Sequence, residues 1–309
     1  MVFLIAMRLG QSQAQALVTA AILVFATPFF AWASVFFAHV TSGALLTAQA
    51  AVLLFGFAAP QRGAAALRAG LLLGVASGLL PVVDVVAAPA GLGLGLVGVF
   101  LSTRWGRRDC LLALAGMVVA GTIAVAPLLI HNAVAFGSPL TLGYAGVVGF
   151  EAMKTGFFGI GWPQPEVAGE LLFGLCRGLL PLSPLLLLVP IGLFRLWRDG
   201  ATSRVAAVVI VGVFGAFLCI NAGYYYWHGG SSTGPRHLIA TLPFLALAAG
   251  FGWPESRAGR VVAIALLGAS LAMGMLVAVG GVFAPEHIRN PLEWLIPRLG
   301  QWDRWFRLP

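Results

Sequence analysis

The chain has 309 residues, 60% of them hydrophobic and only 9% charged, and its mean hydropathy of +0.97 is spread along the whole length. Soluble domains carry about 25% charged residues, and one signal peptide or anchor cannot raise the average this far, so both classes are excluded. The formal charge of +8 sits in short clusters between apolar runs rather than on one polar face, which argues against a nucleic-acid-binding surface.

In chain order, nine apolar runs bounded by Gly, Pro or charge read as membrane spans near 13–38, 40–59, 64–82, 85–101, 109–131, 179–197, 204–222, 236–253 and 260–283. The runs are continuous Leu, Ala, Val and Gly rather than alternating. Lipid offers the backbone no hydrogen-bond partner, so helices are expected and a barrel is not. The predicted fold is all-α: one polytopic transmembrane domain over 1–283, with an outer loop at 132–178, a second at 223–235 and an interfacial tail at 284–309. Pro28 is expected to divide the first run into a span and a shorter piece around Phe29 to Phe37. In the tail, Leu292, Leu295, Leu299, Trp302 and Trp305/Phe306 recur at helical spacing behind Asn290-Pro291, which predicts an amphipathic helix.

Alternate loops carry unequal charge. Arg8, Arg62, Arg68, Arg104, Arg107, Arg108, Arg195, Arg198, Arg204, Arg257 and Arg260 fall on one side with only Asp109, Asp199 and Glu255, a net of +8. On the other side seven cations meet seven acids. The positive-inside bias puts the Arg-rich side and the amino terminus in the cytoplasm, and the two outer loops and the carboxyl terminus outside it.

Gly93-Leu94-Gly95-Leu96-Val97-Gly98 matches G-x-G-x-x-G but lies inside an apolar run with no strand before it, so close helix packing explains it, as it does Gly70, Gly74 and Gly78. Cys110, Cys176 and Cys219 lack metal-ligand spacing and read as small apolar residues near helix ends, a Cys176–Cys219 bridge being the alternative. No outward cluster of acids has metal-ligand spacing, and no cofactor is identified. Asp84, between two short spans, reads either as a paired functional acid or as a solvated cap. Arg177 reads either as a snorkelling cation or as an anion contact.

Polar chemistry concentrates in Gly223 to Phe244, GYYYWHGGSSTGPRHLIATLPF. Tyr224 to Trp227 suit an interfacial aromatic belt, but His228-Gly229-Gly230-Ser231-Ser232 adds hydroxyls and open backbone. Gly234-Pro235-Arg236-His237 places a guanidinium at a helix amino terminus, where the helix dipole also favours an anion, which makes a phosphate site.

This segment resembles the late outer loop and following helix of bacterial polytopic glycosyltransferases of the GT-C superfamily, relatives of family 39. HNAVAFGSPLTLGY, His131 to Tyr144, resembles their N-x-x-x-FGSP-x-x-x-GY stretch, and LLFGLCRGLLPLSPLLLL, Leu171 to Leu188, their RGLL-x-x-SP segment. The resemblance covers roughly His131 to Leu247. It implies sugar transfer from a polyprenyl-phosphate carrier at the outer face of a bacterial inner membrane. Arg236 and Arg177 would then hold the donor phosphate; Tyr225, Trp227, His228 and His237 would line the sugar or acceptor pocket, with Asn132 and Tyr144 organising the loop. The family's first outer loop, with its catalytic Asp, has no counterpart here, and the chain opens as if two helices were missing before it. Asp84 and Glu151 are the outward carboxylates that could substitute; His39 follows the first span with no acid beside it in sequence. Two other readings are a non-catalytic subunit of a membrane protein partner and a lipid-linked-sugar transporter.

Overall fold

The structure, a computed structural model, describes residues 1–155 and 157–300, and it is helical throughout. Among the described residues the only β pairing is two isolated bridges, Phe157 with Ile160 and Ile160 with Tyr224. Trp302, Trp305 and Phe306 lie outside the described residues.

The first helices are α1 (Val2–Arg8), α2 (Gln13–Phe25) and α3 (Phe29–Ala33). A capping box between Ser12 and Gln15 starts α2. The break before α3 falls at Thr27-Pro28, where Thr27 Oγ1 donates to the Leu23 carbonyl at 2.6 Å and accepts from Phe29 N at 3.2 Å. Next come α4 (Ala38–Val52), which runs on through a π turn at Leu53–Phe57, α5 (Ala64–Val83), a 3-10 turn at Val85–Ala87, α6 (Ala88–Ser102) and α7 (Arg107–Phe136). The long loop holds α8 (Pro165–Phe173); α9 (Leu179–Leu182), a 3-10 turn at Pro184–Leu188 and α10 (Val189–Asp199) follow. The chain closes with α11 (Ala201–Gly223), a 3-10 turn at Arg236–Thr241 leading into α12 (Leu242–Phe251), α13 (Arg257–Gly280) and α14 (Pro291–Leu299).

Among the described residues, six helices are long and apolar enough to cross a membrane: Ala38–Phe57, Ala64–Val83, Val85–Ser102, Arg107–Phe136, Ala201–Gly223 and Arg257–Gly280. The other three predicted spans exist as shorter pieces, and proline is the physical reason. Pro28 divides 13–38, Pro184 and Pro190 turn 179–197 into a staircase of short helices, and Pro243 sits where the 3-10 turn passes into α12. Exposed Val118, Val119, Ile123 and Ile130 on α7, and Val261, Val262 and Ile264 on α13, form an apolar outer wall compatible with a membrane protein.

Packing is close at the small residues. A Cβ on Gly70, Gly74 or Gly78 of α5 would overlap the carbonyl of Ala113, Met117 or Gly121 of α7, so these two helices run parallel in backbone contact. The core lies around α12, in which every residue from Leu242 to Ala249 is buried.

Hydrogen bonds tie the loops together at each end of the bundle. At the Arg-rich end, Asp109 Oδ1 accepts from Gly63 N at 2.8 Å, and Arg195 Nη1 donates to the carbonyls of Phe251 at 3.1 Å and Trp253 at 2.7 Å. At the other end, Gly161 N bonds the Gly223 carbonyl at 2.7 Å, Gly234 N the Cys176 carbonyl at 3.1 Å, and Thr233 N the Val282 carbonyl at 2.7 Å. The loops at 132–178 and 223–235 and the segment after α13 are thereby gathered over one face.

Candidate functional site

Two of the predicted residues converge across the Gly229-Gly230 peptide. Both glycines have positive φ, +70° and +64°, a region a side chain would strain. A Cβ on Gly229 would stand 2.9 Å from Arg236 Nε, so the missing side chain makes room for the arginine stem. On the adjoining residue, Arg177 Nη2 donates to the Gly230 carbonyl at 2.9 Å, and Nη1 to Ser232 Oγ at 3.4 Å. Arg177 is only 6% exposed, which rules out a snorkelling role: it clamps the glycine-rich loop.

Arg236 Nε is buried without a hydrogen-bond partner, and its guanidinium carbon lies 5.6 Å over the Phe37 ring. Neither arginine has a carboxylate ion-pair partner among the described residues. Arg177 is buried and Arg236 half-buried, and neither guanidinium has a counter-charge among the described residues, an arrangement that an anion would complement.

From Phe37 the cluster continues inward. Its ring stacks on His39 at 5.8 Å, and His39 meets His237 edge-on at 5.4 Å. His39 Nδ1 lies 3.6 Å from Asp84 Oδ2, within ion-pair reach but longer than a hydrogen bond. Ser42 Oγ donates to the same oxygen at 3.2 Å, and Asp84 Oδ1 accepts from Val86 N at 3.0 Å. Asp84 is therefore at once a cap for the 3-10 turn and the partner of a histidine from another helix. The histidine and the acid were each visible in the sequence, but their pairing was not, because the two are far apart in the chain. The signal available was His39 and Ser42, about one turn apart at the start of a largely apolar helix.

Tyrosines wall the other side. The Tyr224 ring is 5.8 Å from His237 and 5.0 Å from Tyr225. Burial pushes the Tyr224 phenol up to about 12, and the phenols of Tyr225 and Tyr144 act in the same direction. Tyr144 is raised by burial first and by the Asp84 carboxylate second, and its ring meets Phe158 of the same loop edge-on at 6.1 Å. Asn132 Nδ2 bonds the Pro139 carbonyl at 3.2 Å and holds the start of that loop.

His228 stands at the rim, its Nδ1 accepting from Gly230 N at 3.2 Å with Glu286 Oε1 3.3 Å away. Burial lowers its pKa, Glu286 opposes that, and Arg177 and Arg236 reinforce it. Glu286 belongs to the predicted tail. Trp227 packs its ring against the core, 5.8 Å from His228, and supports the loop from beneath.

Glu151 does not join this cluster. It is exposed and pairs with Lys154 on the outer loop's own 3-10 turn. The cysteines are free: burial raises the Cys176 thiol, which donates to the Ile288 carbonyl at 2.9 Å, while Cys219 is exposed on α11. Among the described residues no group of three or more His, Cys, Asp or Glu is placed to hold a metal ion. Comparison with protein-family models, curated proteins and solved structures finds no match.

Proposed function

We propose that this chain is a membrane glycosyltransferase that moves a sugar from a polyprenyl-phosphate carrier to an acceptor at the outer face of a bacterial inner membrane. The observation that carries the reading is the pair Arg177 and Arg236, held on either side of Gly229-Gly230 with no carboxylate partner among the described residues and adjoining a histidine–carboxylate pair. In this reading the guanidiniums bind the carrier phosphate and stabilise the charge that gathers on it as the sugar–phosphate C–O bond breaks. Sugars stack on aromatic faces, and Tyr224 and Tyr225 supply such rings near Arg236.

His39 is the general base of the proposal, and Asp84 its positioning residue. The carboxylate near Nδ1 holds the ring with Nε2 as acceptor and stabilises the imidazolium that forms. The acceptor hydroxyl gives its proton to Nε2 while its oxygen bonds the sugar carbon, and the carrier leaves as polyprenyl phosphate. Asp84 thus takes a supporting part rather than the direct one suggested by sequence, and Glu151 takes none.

The test is donor binding and transfer by the purified protein in nanodiscs, with radiolabelled polyprenyl-phosphate sugars and a panel of lipid and glycan acceptors. Arg236→Ala is expected to lower donor binding and transfer by about 100-fold or more. His39→Gln is expected to retain binding and lose about 100- to 10,000-fold in turnover. Binding that survives Arg236→Ala, or no binding by the unaltered protein, would sink the proposal. Binding without transfer to any acceptor would favour the non-catalytic subunit.

A further inference from the structure

We propose a second ligand site at the Arg-rich end, where a groove between α10 and α11 takes one acyl chain of an anionic glycerophospholipid and Arg198 and Arg204 hold its phosphate. The groove has a volume of about 490 Å³, with Phe194 and Trp197 of α10 facing Val208, Val211 and Gly212 of α11. All four large side chains are exposed, and Gly212 has open space where a Cβ would stand, so the helices part here instead of closing on one another.

The mouth is basic. The Arg198 guanidinium lies 5.4 Å over the Phe194 ring, and Arg204 Nε donates to the Trp197 carbonyl at 2.9 Å, so both cations are tethered to residues that line the groove. Both are exposed, and neither pairs with a carboxylate among the described residues. Glu255 lies 3.6 Å from Arg195, and Asp199, which accepts from Ser203 Oγ at 2.8 Å, keeps its charge, so two arginines against one carboxylate leave the mouth net positive. An apolar groove with a net positive mouth complements a molecule that is hydrocarbon at one end and carries a net negative charge at the other. A zwitterionic lipid brings the same chain, but its own ammonium offsets the phosphate, so the charge distinguishes the two.

The inference rests on the long apolar helices being membrane spans and is independent of sugar transfer. Native mass spectrometry of the detergent-solubilised protein, titrated with phosphatidylglycerol and with phosphatidylcholine, tests it. The unaltered protein is expected to retain one phosphatidylglycerol with at least about tenfold preference. The double variant R198Q/R204Q is expected to lose about 30-fold of that affinity, at roughly fivefold per arginine, and to bind phosphatidylcholine unchanged. Gly212→Phe, which puts a ring into open space, is expected to reduce retention of both lipids with the melting temperature maintained. Equal retention of the two lipids, retention of neither, undiminished phosphatidylglycerol binding by R198Q/R204Q, or indifference to Gly212→Phe would each overturn it.

Discussion

At His228 one nitrogen has two claimants. Neutral Nδ1 accepts the Gly230 N–H, whereas a protonated Nδ1 would donate to Glu286 at the same distance range, 3.2 against 3.3 Å. Burial favours the neutral ring, so the folded pKa lies below the ordinary 6.5. A depressed pKa means that the loop's stabilisation is complete above about pH 6.5 and is lost as pH falls through the folded value. Histidine NMR titration should place His228 below 6.5, and Glu286→Gln, which removes the one raising influence, should lower it further. A rise in that variant would contradict the arrangement. Arg177, Arg236, His237 and Asp84 were legible in the sequence because polar residues are rare there. The His39–Asp84 pairing was not, since only tertiary packing brings the start of α4 beside the end of α5.

Among the helices, the seam between α5 and α7 makes the sharpest demand on sequence. Gly74→Val would drive a side chain into the Met117 carbonyl and should destabilise the fold by about 1–3 kcal/mol. Gly93 of α6 has nothing within reach of an added Cβ, so Gly93→Ala should be neutral or should stabilise by up to about 1 kcal/mol through helix propensity. Thermal melting in detergent checks both, and equal effects would contradict the packing. Hydropathy located the six long apolar helices, and the glycine spacing announced the seam. What hydropathy could not measure is how far helical geometry persists through Ser183-Pro184 or Thr27-Pro28, because proline breaks the ladder without lowering the apolar score.

The molecule as a whole has an Arg-rich end and a polar, loop-covered end, and the proposed orientation puts the first in the cytoplasm. In a chain with Cys110, Cys176 and Cys219 replaced by alanine, a cysteine at exposed Ser231 should react with an impermeant maleimide on intact cells, and one at exposed Arg62 only after permeabilisation. The reverse pattern would overturn the orientation and the proposed site with it. The alternation of ends was readable from loop charge. The convergence of the tail on the site was not, because Glu286 and Val282 carry no sequence mark of the loop they meet. The sheathed core helix has a further implication for biogenesis. Since Leu242 to Ala249 are enclosed by protein, bilayer thickness does not dictate the length of this element, and the 16 residues from Arg236 to Phe251 suffice. An insertion machinery that scores each segment alone would rate so short a stretch poorly. The helices that enclose it, α2, α10 and α11 chief among them, all precede it in the chain, so the segment lodges in a bundle already made rather than in lipid.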